Sequence, residues 1–432
     1  MTGEALLRPP RGTKDRLPEE SYIKRKVCES IRKVFELYGY GEIETPAFEH
    51  LEVLIAKAGE EVVDQIYAFK DKAGRDLGLR FELTTPIARI VASRLDMPKP
   101  IRFYYIQPVW RYEEPQKGRL REFWQAGVEL IGIDDPMGDA EVIAIAHRAL
   151  RSAGLQEFEI HISHRSVVED LILSTGLPEN RVNEALRALD KLDKKGKEYV
   201  VDELSRLGAE RSSAEKMLEQ LSSADLNIEV RSQKAVEGLK FLSRTLDLLE
   251  SAYDLRARVD FGIVRGLGYY TGLVFEVKTP LGGEVGSVAG GGRYDDLISS
   301  LGGPRLPATG MAIGVDRLIE VLRTLGRIDV TFSEFDAVVV PVGSDEELLK
   351  YAIKVAETLR WKTALRVTVE YTGRSLSKTL EKAGKKGAKY AVIIGAREVS
   401  EGSLTLRDLE NWTEQKLTID EAVKLLGYSK GF

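Results

Sequence analysis

Four arginines and three glutamates of this 432-residue chain sit inside segments that otherwise read as core. Arg80 and Glu82, two apart in Leu79–Leu83, would share one face of a strand, and Arg111 and Glu113 repeat that spacing just beyond the apolar run Phe103–Val109. Glu129 lies among Val128, Leu130 and Ile131, Arg265 follows Phe261-Gly262-Ile263-Val264, and Arg317 stands between Val315 and Leu318 in an apolar helix. An ion leaves water at high cost unless it is paired. For any single one of these charges, an internal ion pair explains the position as well as a ligand does. Spread from 80 to 317, they point together to a polar cleft for a shared anionic ligand. Guanidinium suits phosphate and carboxylate because it stays charged and presents a planar fork of donors.

The elements that must position them mix helical and strand periods. Apolar residues at Ile23, Val27, Ile31, Val34, Phe35 and Leu37 predict a helix over 22–38. Leu79–Leu83 alternates like a strand, and Thr84-Thr85-Pro86 then opens a helix with proline in its first turn. The runs Phe103–Val109 and Phe123–Ile131, separated by the polar segment 111–122, predict an antiparallel strand–loop–strand. From Ser166 to Lys234 helical periods dominate, with Lys194-Lys195-Gly196-Lys197 as a solvated helix end or a nucleic-acid contact. Strands are expected again over Val259–Val277, followed by glycine-rich 282–292 and a helix from Gly314 to Leu325. Beyond a linker at 326–335, strand and helix alternate: strands at Ala337–Val342, Leu365–Val369 and Ala391–Ile394, and helices carrying Leu348, Ala352, Val355 and Leu359 and then Leu376–Ala383. That order predicts a small α/β domain with a largely parallel sheet.

Composition narrows the chemistry. Lys and Arg total 63 against 68 Asp and Glu, a net charge of −5, so any nucleic-acid surface must be a local basic cluster. The single cysteine, Cys28, excludes an internal disulfide and reads as a buried thiol in a helix. His161 and His164 follow a strand-like segment and do not have the spacing of a metal pair. There is no apolar leader at the N-terminus and no run of 18 apolar residues, which predicts a cytoplasmic protein away from membranes. No GxxxxGK[ST] loop or GxSxG elbow occurs, and 68 scattered acids single out no glycosidase pair. Gly290-Gly291-Gly292 is read equally well as a phosphate cradle or as close strand packing.

Trp110–Phe123 (WRYEEPQKGRLREF) resembles motif 2 of class II aminoacyl-tRNA synthetases in its histidine-specific form. Leu79–Pro86 (LRFELTTP) is similar to the amino-acid-binding strand of that family, and Val264–Gly272 (VRGLGYYTG) to its histidine-specific loop. Gly310–Leu318 (GMAIGVDRL) resembles motif 3, and Pro9–Asp15 (PPRGTKD) the usual entry sequence. The class I signatures HIGH and KMSKS are absent. The resemblance implies an α+β class II catalytic domain, an antiparallel sheet flanked by helices, over 1–325, with a helical insertion over 166–234. A linker over 326–335 and a C-terminal α/β anticodon-binding domain over 336–432 complete the implied chain. It also implies an enzyme that activates L-histidine with ATP, accompanied by Mg2+, to histidyl-adenylate and transfers histidine to the 3′ end of tRNA(His). Family members are homodimers that pair through the motif 1 region, here about Tyr22–Ala47.

Carried over residue by residue, the resemblance places Arg111 on the α-phosphate and substrate carboxylate, Arg317 on the γ-phosphate, Phe123 against adenine and Glu113 on its amino group, with Arg119 also at the ATP site. Arg265 would reach the α-phosphate as a fixed cation, so that Arg111, Arg265 and Arg317 form the catalytic set. Glu82, Thr84 and Gln125 would accept the α-ammonium, and Glu129 and Tyr270 would pair the imidazole nitrogens. Tyr269, Tyr294 and Gly290–Gly292 would wall the pocket, although core packing explains each tyrosine equally well. No metal site belonging to the protein itself is implied. Gln116 and Arg119 are candidates for the tRNA acceptor end. Arg374, Lys378, Lys382, Lys385, Lys386, Lys389 and Arg397, seven bases within 24 residues, form a candidate anticodon surface in which Arg374, Lys378 and Lys385 are the contacts named. Gly268 stands where many family members carry an acid, and Glu114 where bacterial forms often have arginine; neither change removes a charge contact assigned above. Two rival readings follow from the same family: a catalytically silent paralogue that senses histidine as regulatory subunit of an ATP phosphoribosyltransferase, which would usually lack the C-terminal domain, and a synthetase for threonine, proline or glycine, which would lack the 265–272 loop.

Overall fold

The computed structural model describes residues 7–56, 63–114, 120–222, 226–263, 268–280, 286–328 and 332–427. The backbone forms two compact units, one from 1–15 and 24–328 and the other from 16–23 and 329–432. Strands of the first unit are, in chain order, β1 (Gly41–Glu42), β2 (Phe48–His50), β3 (Ala68–Lys70), β4 (Asp76–Leu79), β5 (Ile101–Trp110), β6 (Glu122–Ile131), β7 (Glu159–His164), β8 (Arg258–Val259), β9 (Leu273–Lys278), β10 (Ala289–Arg293) and β11 (Ala308–Gly314). Eight of them form one sheet in the order β1-β5-β6-β11-β10-β9-β7-β8, and β2-β4-β3 form a second. Within the large sheet only the outer pairs β1–β5 and β7–β8 are parallel, so the expected antiparallel sheet flanked by helices is present.

The strand–loop–strand expected from the two apolar runs is β5–β6, paired without a break from Ile101↔Ile131 to Trp110↔Glu122. The strand expected over Leu79–Leu83 is shorter: β4 ends at Leu79. The reason is local. Glu82 turns its carboxylate onto the backbone N–H groups of Thr84 (2.5 Å) and Thr85 (2.8 Å), satisfying two free donors of the helix Thr84–Ser93, and the strand ends four residues earlier than expected. Arg80 and Glu82 therefore do not share a strand face. Strand structure expected over Val259–Val277 is confined to β8 and β9, and 264–267 lie outside the described residues.

Close packing governs the glycine-rich strand. A Cβ on Gly291 would lie 2.1 Å from the backbone oxygen of Gly310 on β11, and one on Gly292 2.4 Å from that of Leu273 on β9. Behind the sheet, the helix Pro136–Ser152 begins on Asp135, whose side chain accepts the Met137 N–H, with proline in its first turn. Its Ala140, Val142, Ile143, Ala144, Ile145 and Ala146 are all fully buried. The helix Pro18–Leu37 buries Val27, Ile31, Val34 and Phe35, and with them Cys28, whose thiol burial pushes up to about 11.

Between β7 and β8 the chain is helical, as its texture predicts: Arg165–Ser174, Val182–Leu189, Leu192–Lys195, Lys197–Leu207 and Arg211–Ser222, then the long helix Gln233–Tyr253. Buried Leu189, Val200, Leu204, Met217, Leu218 and Leu221 give these helices a core of their own. The lysine run is interrupted at Gly196, whose φ of +83° separates two helices.

The second unit contains β12 (Ala337–Pro341), β13 (Val367–Val369), β14 (Tyr390–Ile394), β15 (Ser403–Asp408) and β16 (Glu414–Thr418) in the order β13-β12-β14-β15-β16. The first three are parallel, and β15 and β16 are antiparallel, so the sheet is mixed rather than largely parallel. Strand β16 escapes a reading based on apolar alternation because four of its five residues, Glu414, Gln415, Lys416 and Thr418, are polar and exposed. The helix Glu346–Thr363 buries Leu348, Ala352, Val355 and Leu359 on one face, as their spacing requires.

Gly291→Ala tests this packing. Its methyl group must displace backbone, and a cost of about 1–3 kcal/mol is expected as a lower thermal midpoint in calorimetry.

Candidate active site

Residues two apart along a strand share a face. On β6 this brings Phe123, Gln125, Gly127 and Glu129 to one side of the sheet. Register extends the face sideways: Gln107 and Tyr105 of β5 lie opposite Gln125 and Gly127, while Ala312 and Gly310 of β11 lie opposite Gly127 and Glu129. One strand further, Gly290 and Gly292 of β10 continue the two rows. The result is a floor of small residues with long polar side chains at its edges.

Glu129 is fully buried at the centre of this floor. Its side chain occupies the space a residue larger than glycine at 310 would fill, since a Cβ there would lie 1.8 Å from its Oε2. It accepts hydrogen bonds from Thr84 Oγ1 (2.7 Å), from the Tyr105 hydroxyl (3.5 Å) and from the Tyr294 hydroxyl. Burial outweighs these donors and pushes its pKa up to about 8. Glu82 is also buried, and desolvation raises its pKa despite the Thr84 and Thr85 donors. Tyr269 and Tyr270 are buried beside them, with the Tyr269 ring 4.9 Å from that of Tyr270 and 6.0 Å from that of Tyr294. Gln125 is buried, and its Oε1 has no hydrogen-bond partner among the described residues. A buried acceptor in that state is ready to meet a donor from a ligand.

Two of the three expected catalytic arginines lie within the described residues, and both are fixed by backbone oxygens. Arg111 donates through Nε to Phe81 O (2.9 Å), with its guanidinium 5.3 Å from the centre of the Phe123 ring. Arg317, in the first turn of the helix Val315–Thr324, donates through Nη1 to Ser287 O (2.5 Å). Its neighbour Asp316 accepts the Trp124 N–H (2.7 Å), tying that helix to β6 beside Phe123. The backbone oxygen of Glu113 accepts from Arg121 Nε (3.0 Å), and Arg121 lies over the Tyr112 ring. Glu114, the unusual acid of this segment, pairs with Arg11 of PPRGTKD at 2.8 Å. Arg265, Gln116 and Arg119 lie outside the described residues.

Arg80 does not join this group. It is buried, and it donates to the backbone oxygens of Thr45, Pro46 and Pro108 and to Thr45 Oγ1, a structural staple. His161 is held by Asp260 (2.8 Å) and Glu159 (3.1 Å), whereas His164 meets Ser166. Among the described residues no three His, Cys, Asp or Glu side chains converge where they could hold a metal ion. Of the C-terminal bases, Arg374, Lys385, Lys386, Lys389 and Arg397 each have a carboxylate within 4.0 Å. Exposed pairs of this kind are weak, so these cations stay available to an anion. Tyr105 and Asp316 were missed by motif reading. Alternation along β5 could have found Tyr105, which falls two residues from Gln107 on the face that carries Glu129. Asp316 gives no such signal, because its partner is a backbone N–H 192 residues away.

A carboxyl whose folded pKa is raised binds a proton that the unfolded chain has already lost, so stability falls as pH rises between the two values. For Glu129 that window runs from about 4.5 to about 8. Glu129→Gln is expected to flatten the fall over this window, read as thermal midpoints at pH 5, 6.5 and 8.

Residues 12–318 match the family described as histidyl-tRNA synthetase, and residues 336–427 match an anticodon binding domain. A histidine–tRNA ligase of Thermococcus kodakarensis is 42% identical, over 97% of this chain and 98% of its own length. Among solved structures, a histidyl-tRNA synthetase from Nostoc sp. PCC 7120 superposes with a TM-score of 0.77 at 28% identity, covering 97% of this chain and 99% of its own. A Bacillus halodurans protein titled an ATP phosphoribosyltransferase regulatory subunit/histidyl-tRNA synthetase superposes with a TM-score of 0.75 at 28% identity, covering 90% and 99%. The chain belongs to the histidyl-tRNA synthetase family, a family of aminoacyl-tRNA synthetases.

Proposed function

We propose that the chain is a histidine–tRNA ligase. It joins histidine to ATP as histidyl-adenylate with release of pyrophosphate, then transfers histidine to the 3′ end of tRNA(His). The observation that carries this reading is the arrangement on one sheet face of buried Glu129, the unpartnered Gln125 Oε1 and the glycine floor, with Arg111 beside it. In this reading Glu129 and Tyr270 pair the two imidazole nitrogens, a recognition that rejects side chains lacking either one. Glu82, Thr84 and Gln125 receive the α-ammonium, and Tyr269 walls the pocket. Arg111 holds the carboxylate against the α-phosphate, and Phe123 and Glu113 hold adenine. Arg317 takes the γ-phosphate, and Arg265 supplies a further cation at the α-phosphate. Attack by a carboxylate oxygen on the α-phosphorus expels pyrophosphate and needs alignment and charge neutralisation more than proton transfer. Mg2+ enters with ATP as part of the nucleotide substrate.

We further assign 1–325 as the catalytic domain, 166–234 as an insertion that grips the acceptor arm together with Gln116 and Arg119, and 336–432 as the anticodon-binding domain with Arg374, Lys378 and Lys385 on its tRNA surface. The active form is a cytoplasmic homodimer. The match of 336–427 to an anticodon binding domain speaks against the regulatory-subunit reading, since such subunits usually lack that part.

The test is histidine-dependent ATP–pyrophosphate exchange by the purified chain. Exchange is expected with histidine alone among the amino acids, and no exchange would favour the sensor. Arg111→Gln and Arg265→His are each expected to lower it by on the order of 10²–10³-fold while the circular dichroism spectrum is unchanged.

A further inference from the structure

We propose that Arg293 is a positioning residue that joins the root of the helical insertion to the amino-acid pocket, so that the seating of the insertion sets how tightly histidine binds. This rests on the assignment of that pocket to histidine.

Arg293 ends β10 and is almost wholly buried. Its guanidinium pairs with the buried carboxylate of Asp139, in the helix Pro136–Ser152, and with Asp295 at 3.2 Å, and it donates to Ile133 O at 3.1 Å. Asp295 in turn accepts the Ala308 N–H (3.0 Å) at the start of β11, and its own N–H is accepted by Thr271 Oγ1 (3.0 Å). The Thr271 N–H returns to Arg293 O (2.8 Å). This lattice brackets the pocket. Tyr294, whose hydroxyl holds Glu129, lies between Arg293 and Asp295, and Tyr270 immediately precedes Thr271. A shift of Arg293 therefore moves both the tyrosine that fixes Glu129 and the residue next to Tyr270.

On its other side Arg293 meets the two ends of the insertion. Its guanidinium lies 5.3 Å from the ring centre of Phe241, on the returning helix Gln233–Tyr253, and that ring also packs against His164. Ser166, at the outgoing end, bonds both His164 Nδ1 (2.9 Å) and Lys234 O (3.1 Å), and the Arg165 N–H reaches Gly272 O (3.0 Å). Outgoing and returning segments are thus pinned together, and they reach Arg293 through the Phe241 ring. They pack so closely that a Cβ on Gly238 would lie 2.4 Å from Ser166 Oγ and 2.6 Å from His164 Nδ1. A buried ion pair is weak ground for stability. Here Arg293 Nε and Asp139 Oδ1 have no hydrogen-bond partner among the described residues, and the guanidinium is placed by its contacts to Asp139, Asp295 and Ile133 O.

The experiment uses the full chain, varying histidine and ATP separately in pyrophosphate exchange, with thermal midpoints recorded alongside. Asp139→Asn removes one charge of the lattice, and Gly238→Ala wedges the insertion root without touching the pocket. Each is expected to raise the KM for histidine roughly tenfold while the KM for ATP stays within about twofold. A purely structural role would lower the midpoint and leave that split absent. Histidine KM unchanged in both folded variants, or both KM values rising in parallel, overturns the proposal. Should Asp139→Asn not fold, Gly238→Ala and Phe241→Leu decide by the same split. Absence of histidine-dependent exchange in the wild-type chain would instead overturn the pocket assignment beneath it.

Discussion

A carboxyl group with no exposure, in the middle of a β-sheet, is the constraint around which the first unit is arranged. Left unmatched, Glu129 would cost several kcal/mol in lost hydration. The structure answers with three hydroxyl donors taken from three separate places: Thr84 at the start of a helix, Tyr105 on the adjacent strand, and Tyr294 just past β10. Each donor then demands an accommodation elsewhere. Tyr105 needs Gly127, because a Cβ there would fall 2.4 Å from its hydroxyl oxygen, and Glu129 itself needs Gly310. Glycines that look like a loose motif in the sequence are the negative image of the polar side chains they admit.

The arginines follow another rule. Arg111 and Arg317 are each held to a backbone oxygen, Phe81 O and Ser287 O. A neutral acceptor orients a guanidinium without itself cancelling the charge. Arg293 is treated in the opposite way, neutralised by Asp139 and Asp295, so it can organise its surroundings but has little charge left to offer a ligand. Arginines held by backbone oxygens are thus distinct in kind from one held by carboxylates, and Arg80, with four neutral acceptors, belongs by partner type with the first and staples 45–46 to 108.

That separation marks how far the sequence could be read. The strands around Glu129, the helix carrying Arg317 and the helical insertion are legible because each has its own local period. The family resemblance also brought Glu82, Thr84, Gln125 and Glu129 forward together. Illegible were the features set by partners far along the chain. Arg80 and Glu82 suggested a strand face by their spacing, but Glu82 accepts the Thr84 and Thr85 N–H groups at a helix start, an outcome decided by two backbone donors rather than by periodicity. Strand β16 carries no apolar alternation because four of its five side chains lie in solvent, whereas β13 at the other edge of the sheet is mostly buried. The Asp139–Arg293–Asp295 lattice spans 157 positions and has no local signature.

Local against distant determination also explains why the net charge of −5 says so little here. A total is insensitive to which charges are matched. Arg293 and Asp139 cancel in the count and in space, whereas Lys385 with Glu381 and Arg397 with Glu401 cancel in the count but bond only through exposed contacts that salt readily screens. A polyanion competes successfully for the second kind of cation and not for the first, because displacing an exposed carboxylate costs little while breaking a buried pair strands an ion. The electrostatic character of such a chain is therefore a property of burial: the same residue types build a rigid pocket where water is excluded and an exchangeable surface where it is not.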